Sequence, residues 1–310
     1  MTRSRFLVGK PGRVAAVVLQ AAVALWFVAS AVGKLIDIDS FEVYFFSFGF
    51  VSLSASFLIA RLVIVAELVL GVLLLSGIAP RKATVLLLLL TIVFCCFLCY
   101  AEWIGRSDDC HCMGALASLP PLLSLLKNAV LIVLLLLLLR VRLYAWHSPW
   151  YVLLLVIVVL TVSVFAISLP DNWMFGKDNE TYNSELLAVM AEEGEPLQDA
   201  DIFEGRKVVV MASEGCGNCR MALKKLKAIV ERHDLDEDDF VVILASQKSN
   251  VVDDGVPMLQ GRKYVINNSD FLQLTYGARP IILLMDDGDT VASYHARNID
   301  ENEIAQFLKQ

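Results

Sequence analysis

The stretch Lys207-Val-Val-Val-Met-Ala-Ser-Glu-Gly-Cys216-Gly-Asn-Cys219 decides the fold of the C-terminal part of the chain. Its apolar run predicts a buried strand followed by a short turn, and Met221 to Arg232 have the pattern of a helix. The two cysteines therefore stand at the start of a helix. Unpaired backbone N–H groups there stabilise a thiolate and lower its pKa below the free value of about 8.5. This placement favours thiol–disulfide chemistry.

Two other uses of such a cysteine pair are half of a zinc site and a structural disulfide. The C-terminal part contains no second CxxC or CxxH, so we predict no metal. The compact Gly-Asn leaves Cys216 accessible, which makes it the candidate attacking thiol and Cys219 the resolving thiol. Arg220, Lys224 and Lys225 follow and add positive potential around the helix start.

Residues 200 to 310 resemble the thioredoxin superfamily. The resemblance rests on the cysteine pair and on Ala278-Arg279-Pro280, which precede an apolar strand from Ile281 to Met285. It implies an α/β domain in which Pro280 is cis and faces the cysteines. A further strand is expected from Thr290 and a closing helix from about Asp300.

The thioredoxin resemblance has two departures. The Trp-Cys-Gly-Pro-Cys signature is absent, and Val210 occupies the place where thioredoxins carry a buried acid. Glu214 is the candidate substitute for that acid, which would take the proton of Cys219.

The first 170 residues are dominated by apolar stretches, and 57% of the whole chain is hydrophobic, far above the value for soluble proteins. Five stretches are long enough to span about 30 Å of hydrocarbon. The first is too long for a signal peptide and lacks a small-residue cleavage site, so we interpret it as an anchor. The predicted spans are Val14–Leu35, Leu58–Ile78, Thr84–Tyr100, Pro121–Leu139 and Trp150–Leu169.

The charge changes at Pro170. Residues 1–170 contain 12 Lys/Arg and 7 Asp/Glu, whereas residues 171–310 contain 14 and 26. The acidic C-terminal part argues against nucleic-acid binding. We predict an all-α membrane four-helix bundle, a fifth transmembrane helix as a tether, a linker and an α/β thioredoxin-like domain; their ranges are 1–145, 146–170, 171–199 and 200–310.

The loop charges predict the orientation. Basic residues lie at the N-terminus, at Arg81-Lys82 and at Arg140 with Arg142. Segments 36–57 and 101–120 together contain one basic residue, Arg106. By the positive-inside rule the basic segments face the cytoplasm. We therefore expect a multi-pass protein of the bacterial inner membrane with a cytoplasmic N-terminus and a periplasmic C-terminal domain.

A second cysteine pair, Cys110 and Cys112, lies in the loop after the third predicted span. A disulfide between residues two apart closes a small strained ring that is easily reduced, which suits exchange. The alternatives are two unrelated loop cysteines, each bridged elsewhere, and a metal site that includes His111. Adjacent ligands rarely close a tetrahedron, which disfavours the metal.

Residues 13 to 140 resemble the MauE family of methylamine utilisation proteins and the related DoxX-like membrane proteins. Cys110-His-Cys112-Met-Gly114 with Lys127-Asn128 is similar to the family's Cys-x-Cys-Phe-Gly and Leu-Lys-Asn pattern. Ser30-Ala-Val-Gly-Lys34-Leu-Ile-Asp37 and Ala66-Glu67-Leu-Val-Leu-Gly71 resemble its first two helices. The resemblance implies a role in methylamine metabolism, as a helper in making methylamine dehydrogenase that acts in disulfide formation.

The third and second spans contain three further residues that are candidates for a quinone-binding site. Cys96 and Cys99 are three residues apart, so on a helix their Cα atoms lie about 5 Å apart, within disulfide range. Near the outer surface they could meet a quinone headgroup. Glu67 lies in the middle of a span, where ionisable groups carry protons or hydrogen-bond a neighbouring helix. The alternative for the cysteines is that they pack as small apolar residues.

These observations predict a membrane-bound thiol:disulfide oxidoreductase. Electrons would pass between Cys216/Cys219 and Cys110/Cys112, and the partners would be periplasmic cysteine-containing proteins. The direction stays open: an oxidase would pass electrons from its substrates to a quinone as the candidate acceptor, whereas a reductase would run the other way from a donor that the sequence does not identify. The alternative from another class is a non-catalytic assembly factor that holds a maturing periplasmic enzyme. A transporter is a third interpretation, which only Glu67 favours.

Overall fold

A computed structural model describes most of the chain. Two compact units make it up. The first, here called the helical unit, is Met1–Tyr44 with Leu58–Leu169, and the second, the sheet unit, is Phe45–Phe57 with Pro170–Gln310. The described residues are 10–105, 113–117, 120–147, 149–168, 181–192, 195–213, 215–245, 259 and 261–309.

Six α-helices occur among the described residues up to residue 168. Five of them are long and apolar enough to cross a membrane, which confirms the five predicted spans. The sixth, α2, lies in segment 36–57, where no helix was predicted. The helices are α1 (Lys10–Ile36), α2 (Ile38–Phe46), α3 (Leu53–Ser76), α4 (Pro80–Trp103), α5 (Pro121–Arg140) and α6 (Trp150–Ile167).

The core of the helical unit is formed by α1, α3, α4 and α5. Side chains from all four helices form one buried cluster, including Ala24, Leu74, Leu87 and Leu135. The fifth apolar helix, α6, packs against this cluster only through partly buried residues, and nearly all of its apolar residues remain at least partly exposed. The predicted architecture, a four-helix bundle with an additional peripheral helix, is therefore confirmed.

A buried ion pair ties α2 to the bundle. The Arg61 guanidinium bonds the carboxylate of Glu42, and its Nε donates to the Ser168 carbonyl oxygen over 2.9 Å. Both charged side chains are almost fully buried. Arg61 lies within an otherwise apolar run, which is why sequence patterning gave no partner for it.

The sheet unit contains five strands and four helices among its described residues that follow Pro170. The strand order is β3-β2-β1-β4-β5, with β1 in the centre. In chain order the elements are α7 (Ser184–Met190), β1 (Arg206–Ser213), α8 (Gly217–His233), β2 (Phe240–Ala245), β3 (Arg262–Ile266), α9 (Asn268–Thr275), β4 (Ile281–Asp286), β5 (Asp289–Tyr294) and α10 (Glu301–Lys309).

The sheet is mixed and covered by helices. β1 pairs in parallel with β2 and antiparallel with β4, and its last six residues are buried. Such a continuous apolar strand needs both faces covered. One face of the sheet packs against α7 and α9, while α10 contacts β1 and α8. The elements predicted around the cysteine pair, from β1 to α10, are all present.

Part of the predicted linker belongs to this core. Leu187 and Met190 of α7, and Leu197 after it, are buried against the sheet. Asn183 caps α7, its side chain accepting from the Leu186 N–H over 3.0 Å. The stretch 171–199 therefore contributes ordered core residues to the sheet unit.

Segment 45–57 packs on α8 and α10 within the sheet unit. The Glu301 carboxylate accepts from the Leu53 N–H over 2.8 Å, and Arg232 donates to the Val51 carbonyl oxygen. His233 lies 4.0 Å from Glu301. Burial lowers the pKa of His233 below its usual value, with Arg232 and Lys309 acting in the same direction and Glu301 opposing them.

Candidate functional site: a disulfide at a helix start and a polar cluster in the bundle

Cys216 and Cys219 form a disulfide at the start of α8. Their Cα atoms are 5.2 Å apart, and Cys216 is the residue that caps the helix. The Cys216 sulfur accepts from the Cys219 backbone N–H over 3.2 Å. Cys219 is 1% exposed, whereas Cys216 is partly exposed and has two exposed neighbours, Gly217 and Asn218. An incoming thiolate can therefore reach Cys216 and cannot reach Cys219.

The peptide bond between Arg279 and Pro280 is cis, as the thioredoxin resemblance implied. Pro280 directly precedes β4, whose first residue, Ile281, pairs with Met211 of β1. The cysteine turn follows β1 at that same end of the sheet. Arg279 also lies there, because its Nη1 donates to the Ser213 hydroxyl over 3.3 Å. The cis-proline and the disulfide thus lie at the same end of two neighbouring strands, β4 and β1.

The charges around the disulfide differ from the prediction in one residue. Arg220 is exposed and Lys224 is partly exposed, but Lys225 is 1% exposed. The Lys225 ammonium donates to the Ala296 carbonyl oxygen over 2.9 Å and lies 4.8 Å from the centre of the Phe57 ring. The buried Lys225 side chain therefore stabilises the packing of α8 against Ala296 and Phe57. Val210 is fully buried, and Glu214 lies outside the described residues.

Inside the helical bundle, Glu67 is paired with Lys34. The Lys34 ammonium lies 2.8 and 2.7 Å from the two carboxylate oxygens and 2.7 Å from the Ser30 hydroxyl, which itself donates to Glu67 over 3.1 Å. Lys34 is 2% exposed. Of the two roles expected for Glu67, the structure shows the hydrogen bond to a neighbouring helix.

Two neighbouring residues of α5 complete this polar cluster. Lys127 and Asn128 line the same small cavity as Ser30, Lys34 and Glu67, together with Thr91 of α4. Asn128 is 4% exposed, and its Nδ2 has no hydrogen-bond acceptor within the described part of the chain. Four helices thus bring polar side chains to one point inside an apolar bundle. In the following text the name polar cluster is used for six residues: Ser30, Lys34, Glu67, Thr91, Lys127 and Asn128.

Comparison with protein families identifies the helical part. Residues 12–141 match the model of the family described as methylamine utilisation protein MauE. In the following text this matched part of the chain is called the MauE domain. It contains the polar cluster and nearly all of the four-helix bundle, and the chain is a multi-pass membrane protein. Searches against curated proteins and against solved structures gave no significant match.

The residues that directly follow the CxC motif in the sequence lie against α1. Cys110, His111 and Cys112 lie outside the described residues. The next residues, Met113 and Gly114, are buried, and they touch α1 at Gly33. A Cβ added to Gly33 would lie 2.3 Å from the Met113 carbonyl oxygen. The end of the loop therefore packs beside Lys34, with no room for a side chain.

The three cysteines of α4 are free, and they divide into two groups. Cys96 and Cys99 are exposed on the helix surface, so the structure does not bring them together with Glu67. Cys95, which sequence analysis did not select, is partly buried and lies beside Asn128 and Lys127. Its spacing of four residues from Thr91, a polar residue within an apolar span, could have pointed to it, because residues four apart lie on one face of a helix.

The sheet unit is compatible with a thioredoxin-like domain fused to the MauE domain. Its central strand leads into the cysteine pair, the helix follows directly, and the cis-proline stands at the next antiparallel strand. Within the described residues, no group of three His, Cys, Asp or Glu side chains is arranged to hold a metal ion.

Proposed function

We propose that this protein is a membrane-bound thiol:disulfide oxidoreductase that relays electrons between its sheet unit and its MauE domain. The observation that carries the proposal is the Cys216–Cys219 disulfide, with the first sulfur accessible and the second buried at a helix start. That asymmetry is what exchange requires: one sulfur receives or makes the attack and the other stays protected until it resolves the mixed disulfide.

The steps balance as two exchanges. In the oxidising direction, a substrate thiolate attacks Cys216 and releases Cys219 as a thiolate. The second substrate thiol then attacks its own mixed disulfide, which leaves a substrate disulfide and the reduced Cys216/Cys219 pair. Cys216 next attacks the Cys110–Cys112 disulfide, and Cys219 resolves the product, so two electrons move to the loop pair. Both exchanges are reversible, and the reduction potentials of the two pairs set the direction.

The location follows from the same proposal. The sheet unit faces the periplasm, an oxidising compartment, and the basic loops face the cytoplasm of a bacterial inner membrane. Its partners are periplasmic proteins that carry cysteine pairs. Because both redox pairs belong to one chain, their exchange is intramolecular and proceeds at a high effective concentration.

A lipid-soluble quinone is the proposed final acceptor. It takes two electrons and two protons from the reduced Cys110/Cys112 pair and becomes a quinol, while the cysteines return to a disulfide. Cys96 and Cys99 support this step because they are exposed on α4, a helix of the bundle that is apolar enough to lie in the membrane. A Cys96→Ser/Cys99→Ser variant that reduces quinone at the wild-type rate would remove them from the pathway.

The family match gives the second candidate function a specific basis. MauE is described as a methylamine utilisation protein, so a role in maturing an enzyme of methylamine metabolism is the non-catalytic alternative. An assembly factor of that kind would hold its partner by stable contacts and would not need the cysteine pair.

Complementation with a Cys216→Ser/Cys219→Ser variant separates the two functions. The experiment requires a host that depends on the protein for growth or for an active periplasmic enzyme. An oxidoreductase without its cysteine pair fails to complement, whereas an assembly factor complements fully. Asn218→Ser is the matched control, because it changes an exposed residue between the two cysteines and keeps both thiols.

A further inference from the structure

The polar cluster of the MauE domain has more positive than negative charge. Lys34 and Glu67 form a complete pair: the three N–H donors of the ammonium go to the two carboxylate oxygens and to Ser30. Lys127 lines the same cavity and has no ion pair among the described residues. The titratable side chains of the cluster therefore sum to one positive charge inside an apolar bundle.

A second observation points to the same place. Asn128 follows Lys127 on α5, is nine-tenths buried or more, and aims an amide without an acceptor at the cavity. A buried donor without a partner costs about 1–3 kcal/mol, and an uncompensated charge in a membrane interior costs more. One ligand that is negatively charged and accepts a hydrogen bond would remove both costs.

The size of the cavity limits what this ligand can be. Its volume is about 20 Å³. A single water-sized species needs at least about 10–15 Å³, so the cavity has room for one such species. Lys34 already pairs with Glu67, so among the described residues the Lys127 ammonium and the Asn128 amide are the donors of the cavity without an acceptor.

We propose that the polar cluster is a site for one small monovalent negative charge, bound between Lys127 and Asn128. Two sources have this chemistry. One is a halide ion from solution, and the other is the thiolate of Cys95, a free and partly buried cysteine that stands one helical turn after Thr91, which lines the cavity. The site is independent of the relay, because every residue that forms it lies within the bundle and none is a cysteine of either redox pair.

Chloride dependence of thermal unfolding tests the site on the full-length protein in detergent micelles. The wild type and Cys95→Ser are unfolded in sodium chloride and in sodium gluconate at equal ionic strength, because gluconate is too large for the cavity. Ligand that binds only the folded state raises Tm. A rise in the wild type assigns the site to a halide, and a rise in Cys95→Ser alone assigns it to the Cys95 thiolate.

Three variants show whether the response comes from this cavity. Lys127→Met removes the positive charge and abolishes the chloride response. Asn128→Asp supplies a negative charge in place of the ligand, so the protein becomes insensitive to chloride while remaining folded. Lys82→Met, at an exposed lysine, keeps the response. Chloride-35 NMR line broadening on the folded proteins gives the same ranking without relying on unfolding.

Two results would overturn the proposal. The first is equal Tm values in both salts for the wild type and for Cys95→Ser, together with no excess line broadening. The second is a chloride response that persists unchanged in Lys127→Met, because the anion would then bind elsewhere.

Discussion

Replacing Glu67 by Gln tests whether the buried ion pair holds the bundle together. The substitution keeps the size of the side chain and one acceptor oxygen but removes the negative charge. Lys34, 2% exposed and bonded to both carboxylate oxygens, is then left with Ser30 and a neutral amide. With Lys127 nearby, the charge of the cluster rises from one positive to two.

The magnitude follows from the geometry. Removing one partner of a buried, well-bonded ion pair costs about 3–5 kcal/mol, because the remaining charge is buried without compensation. That is more than a hundredfold in the unfolding equilibrium constant. The double variant Lys34→Met/Glu67→Leu restores the original charge of the cluster and fills the space with apolar groups. We expect it to be destabilised by much less than Glu67→Gln, since apolar replacement of a buried pair is often close to neutral.

The assay is reversible unfolding of the full-length protein in mixed micelles, followed by tryptophan fluorescence as the fraction of denaturing detergent rises. Glu102→Gln is the matched control, because Glu102 is exposed near the end of α4. Surface changes of this kind are usually within about 0.5 kcal/mol. If Glu67→Gln unfolds together with this control, or if the double variant is as unstable as the single one, the ion pair does not stabilise the bundle.

Three further predictions concern packing, pH and capping. Gly33→Ala places a methyl group against Met113 and is expected to cost about 1–3 kcal/mol, whereas Gly217→Ala, with open space around it, is nearly neutral; detergent unfolding compares the two. His233 has a lowered pKa in the folded state, so stability is lost as pH falls below its unfolded pKa of about 6.5. His233→Gln removes that loss, which unfolding midpoints between pH 5 and pH 7.5 measure. Asn267→Ala removes the side chain that caps α9 and costs about 0.5–2 kcal/mol in urea unfolding. An unchanged midpoint would show that this cap is dispensable.

The elements around the cysteine pair could be predicted because local signals agree there. β1 is a continuous apolar run, the cysteines stand where a helix must start, and Pro280 precedes a second apolar run. Periodicity and turn chemistry therefore favour the same assignment. The five membrane spans were predictable for the same reason, since length and composition alone determine them.

The polar contacts of the bundle could not be predicted in this way. Lys34 stands near the end of α1 and Glu67 in the middle of α3, and only tertiary packing brings them within 2.7 Å. The same holds for Arg61 and Glu42, which lie on helices that sequence patterning did not relate to each other. Pattern analysis assigns a residue to a face of its own helix, whereas pairing depends on how two helices are rotated against each other.

The extent of the sheet unit was also underestimated. Residues 184–200 are acidic and mixed in sequence, which favoured a linker, yet α7 contributes Leu187 and Met190 to the core. Its stability comes from packing against the sheet, in keeping with the general behaviour of short helices.

The most direct test of the relay is to trap its intermediate. In a Cys219→Ser variant, Cys216 that attacks the loop disulfide cannot be resolved, so the mixed disulfide accumulates. Membranes are quenched with acid, free thiols are alkylated, and the cross-linked peptides are identified by mass spectrometry, with Cys216→Ser/Cys219→Ser as the control. The relay predicts a peptide that joins Cys216 to Cys110 or Cys112. Separate pairs with no cross-linked peptide under any redox poise would contradict it.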